Sequence, residues 1–269
     1  MNALSVAGGA LRYEFLMQFR RPSVWLVLVF VSMLSFVFWM PLITAHPVSS
    51  AQVVTAQPNA QPQVYYTIMY LAQFTAWFLP LGAGLVLADR LARDKKMHVD
   101  EILVSYPSSL AARLLGKYLG GTLATLVPVF LLYMCGVAYA LTIFHDLTYL
   151  LLALEAFAAI VLPGIFFAAG FSIALPAILK VPLYQILFVG YWFWANLMSP
   201  RFGIPSPVGT MLNATGPWAQ EAFFHFQWVF LDLNPTIGQG VISIVLLVGA
   251  GLLAMCVAIL FQYWEQTHR

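Results

Sequence analysis

"VWLVLVFVSMLSFVFWMPLITA", residues 24–45, runs for 22 positions without one charged side chain. About 20 apolar residues at ~1.5 Å rise cross the ~30 Å hydrocarbon core of a bilayer. Backbone groups in lipid must be satisfied within the segment, so the stretch predicts a membrane-spanning helix. The next charge after Arg21 is Asp89. Between them lies "HPVSSAQVVTAQPNAQPQ", residues 46–63, rich in Pro, Gln, Ser and Ala, which reads as a loop. The uncharged region therefore holds two spans.

The same reading extends along the chain. Residues 118–145, 156–179, 181–200 and 233–264 also lack Asp, Glu, Lys and Arg. Charged residues make up 8% of the chain and hydrophobic ones 62%, with a mean hydropathy of +0.86. A soluble domain carries about 25% charged residues, so too few remain here to cover a water-facing surface. The apolar runs do not alternate, which excludes a transmembrane β-barrel. The expectation is an all-α integral membrane protein forming one transmembrane domain over 1–269. Its six spans are placed at about 24–45, 65–88, 118–142, 149–175, 183–200 and 239–263. The first apolar run starts late and is too long for a cleavable signal, so it reads as a retained span. Cys135 and Cys256 fall in apolar spans and read as small buried hydrophobes in opposite leaflets.

Six spans put both termini on one side, together with every Lys and Arg but Arg201, eleven of the twelve. The positive-inside rule places that side, and both termini, in the cytoplasm of a multi-pass cell-membrane protein. The net charge of +2 tracks topology and forms no separate patch, so nucleic acid is not an expected partner. Near the N-terminus, residues 8–21 read as an amphipathic interfacial helix. Leu11, Phe15 and Phe19 form its apolar stripe, and Glu14, Gln18 and Arg21 lie together elsewhere. Pro22 suits the first turn of the helix that follows. On the opposite side, "GPWAQEAFFHFQWVFLDLNP" predicts an outer helix before the last span. Ala219, Phe223, Phe226 and Phe230 recur at helical spacing, Glu221, His225 and Asp232 occupy a solvated face, and Asn234-Pro235 ends the helix.

Between the second and third spans stands "VDEILVSYPSSLAARLLGKYLGG", Val99 to Gly121. Val99, Ile102, Leu103 and Tyr106 share one face of a short helix. Asp100 and Glu101 sit in its first turn, where the helix dipole favours negative charge. Pro107 ends it, and Ser108 or Ser109 can cap a second helix running through Arg113 and Lys117 into the third span. Reversing direction needs only a few residues. A structured elbow with an exposed apolar face fits either docking to a cytoplasmic partner or packing on lipid headgroups.

Glu101, Ile102, Leu103, Ser105, Pro107, Arg113, Gly116 and Lys117 carry a resemblance. The stretch is similar to the cytoplasmic loop of type-2 ABC transporter permeases. The Arg20-Arg21-Pro22 triplet before the first span and the six-span plan with a large outer loop are similar as well. The resemblance implies that Val99, Asp100, Glu101, Ile102, Leu103, Ser105, Tyr106 and Pro107 form a coupling helix seated in a separate nucleotide-binding ATPase subunit. It implies a second permease chain, identical or related, and export by alternating access, with spans two and five lining the pathway. ATP and Mg would sit on the partner, with no cofactor on this chain. The chain's own Gly116-Lys117 is followed by Tyr118, and Ala111 stands five positions before Gly116, so it lacks the phosphate-loop pattern and reads as no enzyme itself.

Other residues keep two readings. Gln73 and Thr75 in span two, and Gln185 and Asn196 in span five, are candidates to line a path or to bond neighbouring helices. Glu155 is the one ionisable side chain placed inside a span; it either contacts substrate or a proton, or is satisfied near the interface. Tyr191 to Trp194 suit a substrate grip or an interfacial aromatic belt. Gly116 with Gly120, and Gly170 with Ala174, have helix-packing spacing. Glu221 with His225 is too sparse a set for zinc. Two alternative functions follow from these residues. One is a lipid-directed membrane enzyme built around His145, Asp146 and Glu155. The other is an ion-coupled carrier with a helix broken at Pro163-Gly164.

Overall fold

The computed structural model describes residues 3–45, 62–90, 93, 109–198, 203–227, 231 and 233–268. All regular structure among them is helical: α1 (Ala3–Phe19), α2 (Pro22–Ala45), α3 (Gln63–Leu87), α4 (Leu110–Phe144), α5 (Leu150–Ala156), α6 (Leu162–Ala174), α7 (Val181–Asn196), α8 (Pro217–Phe224) and α9 (Ile237–Thr267). Five segments are long and apolar enough to cross a membrane: Pro22–Pro41, Gln63–Leu87, Leu110–Phe144, Leu147–Ala177 and Ile237–Trp264. By length and composition this is a multi-pass membrane protein. The fifth expected span, 183–200, differs. Its helix α7 is 16 residues long and stops at Asn196, giving about 24 Å against the ~30 Å needed.

Local chemistry sets the helix ends. Pro22 opens α2, where a missing N–H costs nothing. Ser109 is in the extended region and its hydroxyl accepts the Ala112 N–H at 3.2 Å, capping α4. Thr236 and Gln239 form a reciprocal capping box at the start of α9. That T-x-x-Q spacing was legible in the sequence but not used to place the span.

α3 is the hub. It packs on α2, α4, α7 and the segment running from α5 to α6, and 72% of its apolar window is buried. The corresponding share is 28% for the α2 segment and 22% for α9, which therefore present most of their side chains outward, as lipid-facing helices do. Side chains fasten helix to helix by bonding backbone carbonyls, which suits a medium without water. The Trp39 Nε1–H donates to the Thr67 carbonyl at 2.9 Å, joining α2 to α3. The Tyr133 hydroxyl donates to Ala153 at 3.0 Å, joining α4 to α5. The buried Trp192 donates to Trp77 at 2.7 Å, so the centre of the Tyr191–Trp194 run is a bolt between α7 and α3 rather than a belt. Tyr191, Phe193 and Trp194 stay exposed beside it.

Two glycine pairs let helices approach closely. A Cβ on Gly116 would stand 2.6 Å from the Ala7 carbonyl, and one on Gly120 would stand 2.5 Å from that of Leu11. The G-x-x-x-G at the start of α4 is thus the seat of α1. Gly170 and Gly251 likewise let α6 and α9 meet backbone to backbone.

The segment around Pro163-Gly164 does not break. A π turn, Phe157–Val161, precedes it, and the Leu162 N–H reaches back to the Phe157 carbonyl. Proline inside a helix lacks a donor and crowds the carbonyl four residues back, so one wider turn relieves the strain and the rod continues from Leu147 to Ala177.

Three other expectations are corrected. In α1 the buried residues are Glu14 and Gln18, while Leu11, Phe15 and Phe19 are only half covered, because α1 packs its polar side on α4. The outer helix is short: α8 stops at Phe224, where His225 takes a left-handed φ of 51°, and it buries Glu221 instead of presenting it to solvent. Cys135 and Cys256 are free and exposed on the bundle's outer face, not packed within it.

The coupling stretch from Val99 through Asp100, Glu101, Ile102, Leu103, Ser105 and Tyr106 to Pro107 lies outside the described residues, as do 46–61, Arg201, Phe230 and Asp232.

Candidate functional site

Two polar centres stand at opposite ends of α3. At its C-terminal end, Arg90 and Glu14 form an ion pair with side-chain exposures of 5% and 2%. Glu14 also accepts from the Gln18 amide at 3.0 Å, and Gln18 in turn accepts from Arg21 at 3.2 Å. Arg21 and Arg93 both approach Asp89, at 3.9 and 3.6 Å. Each buried charge thus meets an opposite charge or an amide, the condition under which burying it is tolerable. This centre pins α1 to α3, and the glycine seat pins α1 to α4. Arg90 and Ser109 stand on either side of residues 94–108, so α1 touches the chain on both sides of that stretch.

At the N-terminal end of α3 opens a cleft of about 1000 Å³. Tyr65, Tyr66 and Tyr70 line it from α3, and Glu155 from α5. The π turn adds Ala158 and Ala159, and the chain after α8 adds His225 and Phe226. The Phe226 ring meets Tyr70 at 4.9 Å and 86°, and Tyr66 at 6.2 Å and 52°. The Tyr65 hydroxyl donates to the Phe224 carbonyl, which holds the post-α8 chain over the cleft. Glu155 is exposed, and no cation among the described residues lies within ion-pair distance of it.

Gln73, Thr75, Gln185 and Asn196 line neither centre. Gln73 and Thr75 are buried in α3, at 1% and 2% exposure, and the Gln73 amide nitrogen has no hydrogen-bond partner among the described residues. Gln185 donates to the Leu85 carbonyl at 3.3 Å. Asn196 donates to Trp192 at 3.0 Å and accepts the Ala214 N–H at 2.7 Å, tying the end of α7 to the loop before α8. Gln185 thus bonds a neighbouring helix, while Asn196 bonds its own helix and a loop. Of the proposed site residues, only Glu155 enters the cleft.

His145 and Glu155 do not share one cleft. Asp146 caps a short turn by accepting from the Thr148 N–H at 3.0 Å, and His145 lines a separate, smaller cleft with Leu141, Leu147 and Leu150. Glu155 instead lines the larger cleft together with His225 and the tyrosines. Tyr65, Tyr66 and Tyr70 stand together in "QVYYTIMY", a usable signal that the hydropathy pattern hides.

Comparison of the sequence with known protein families and with curated proteins returned no match.

Proposed function

We propose that this chain is the transmembrane permease subunit of an ATP-driven exporter of the type-2 ABC class. In this reading a separate ATPase subunit grips the Val99–Pro107 elbow, and two permease chains rock between inward- and outward-facing states. Both termini lie in the cytoplasm, and α7 with the chain after it makes the fifth of six crossings. Such coupling requires nucleotide and substrate each to bind the two states with different affinity.

The observation that carries the reading is the bracing of the two helices on either side of the elbow. α4 begins at the Ser109 cap and continues as one 35-residue helix, about 52 Å, through Arg113 and Lys117 into the apolar region. α1 rests on its first turns and is locked by Glu14 to Arg90 at the end of α3. A push on the elbow would therefore move α1, α3 and α4 as one body, which is what force transmission from a separate motor needs.

The test is retention of an ATPase subunit by the purified chain. Affinity-tagged wild type extracted in mild detergent is expected to carry an ATP-hydrolysing partner. Leu103→Asp and Glu101→Lys are expected to lose it while the membrane chain stays folded. Undiminished ATPase retention in both variants would overturn the reading.

A further inference from the structure

The cleft at the N-terminal end of α3 combines three features that the transport reading does not use. It has an open carboxylate, a wall of aromatic rings and a helix deformed beside it.

Charge comes first. Among the described residues, Glu155 is the acidic group lining the cleft, and no Lys or Arg lines it with Glu155. An anionic ligand would meet an uncompensated like charge there. A metal ion would find one carboxylate and one imidazole, too few protein ligands for a firm site. An organic cation fits the electrostatics.

Shape comes second. Phe226 is buried and packs edge-to-face on Tyr70, while Tyr66, exposed, and Tyr70, half-buried, border the space. Ring faces carry negative potential and attract weakly hydrated cations, quaternary ammonium groups above all. A volume of about 1000 Å³ suits a small organic molecule or a lipid headgroup with part of its chain.

Local backbone geometry comes third. The π turn Phe157–Val161 begins two residues after Glu155, and such turns are frequent at functional sites. His225, on the facing wall, holds a positive φ that side-chain-bearing residues rarely adopt. Both irregularities border this cleft.

We propose that this cleft binds a quaternary ammonium group, with Glu155 supplying the counter-charge and Tyr66 and Tyr70 the aromatic wall. A free solute and the choline headgroup of a phospholipid share that chemistry. The inference concerns binding to this chain alone and stands whether or not an ATPase drives it.

The test uses the full chain, purified in a sugar-headgroup detergent and titrated calorimetrically with choline. Its neutral isostere, in which carbon replaces the nitrogen, serves as comparison. Saturable binding of choline is expected, at least about tenfold tighter than the isostere and weakened by at least about tenfold in Glu155→Gln. Tyr66→Ala, at an exposed position, should weaken it by about fivefold. A second arm compares nanodiscs of phosphatidylcholine with nanodiscs of phosphatidylglycerol. Retention of phosphatidylcholine through delipidation by wild type but not Glu155→Gln, without binding of free choline, assigns the lipid as the source and supports the proposal. Equal affinity for choline and its isostere overturns it, as does unchanged binding in Glu155→Gln. Absence of binding in both arms also overturns it.

Discussion

Glu14 and Glu155 are both glutamates on helices next to long apolar runs, and the fold treats them in opposite ways. Glu14 is 1% exposed, paired with Arg90 and bonded to Gln18. Glu155 is exposed, with no cation among the described residues to pair it. They sit toward opposite ends of α3, the most buried of the candidate spans. A carboxylate closed on internal partners holds helices together and has nothing left to offer a ligand. A carboxylate left open contributes little to the fold and keeps its charge available. Partner count, not residue type or surrounding hydropathy, separates a lock from a site.

The sharpest way to break the comparison is to remove one half of the lock. Arg90→Met strands the Glu14 charge and should destabilise the chain by about 3–5 kcal/mol, read as a lower midpoint in detergent unfolding. The double variant Glu14→Leu with Arg90→Met should be milder than either single change. A double variant as damaged as the sum of its parts would show the two residues acting independently.

Next in size is the seat of α1. Gly120→Val drives side-chain atoms into the Leu11 backbone, where even a bare Cβ would stand at 2.5 Å. Overpacking of this kind costs about 1–3 kcal/mol. Faster protease cleavage of α1, with the remaining helices intact, is the expected signature. Gly9→Ala is the control: a Cβ there meets nothing within 4 Å. It should leave the fold unharmed and raise stability by about 0.5–1 kcal/mol, because alanine loses less entropy than glycine inside a helix.

The smallest effect is expected at Glu155. Glu155→Gln should leave the unfolding midpoint within about 0.5 kcal/mol of wild type, because no partner is lost. A loss of more than about 2 kcal/mol would mean that Glu155 is a second lock, and the contrast with Glu14 would collapse.

Much of the helical layout was open to reading before any coordinates. Uncharged runs of span length identify a multi-pass helical chain because lipid leaves the backbone no other partner. Pro22 and Ser109 mark helix starts for the same local reasons in sequence and in structure. The glycine spacing at 116 and 120 announced a packing site. Its partner, α1, could not be known, because spacing along one helix says nothing about which other helix approaches. The outer helix was overextended because periodicity continued past Phe224 while the backbone turned left-handed at His225.

Amino-acid order alone decided that the chain belongs in a bilayer, where its apolar helices start, and which residues carry the few charges. These follow from transfer energies and from backbone bonding within each segment, which need no knowledge of neighbours. Packing alone decided that α1 turns its polar face inward, that α3 lies at the centre, and that Glu155 shares a cleft with Tyr66, Tyr70 and His225. Each of those outcomes depends on contacts between residues tens of positions apart, where close approach and charge pairing choose among faces that look alike along the chain.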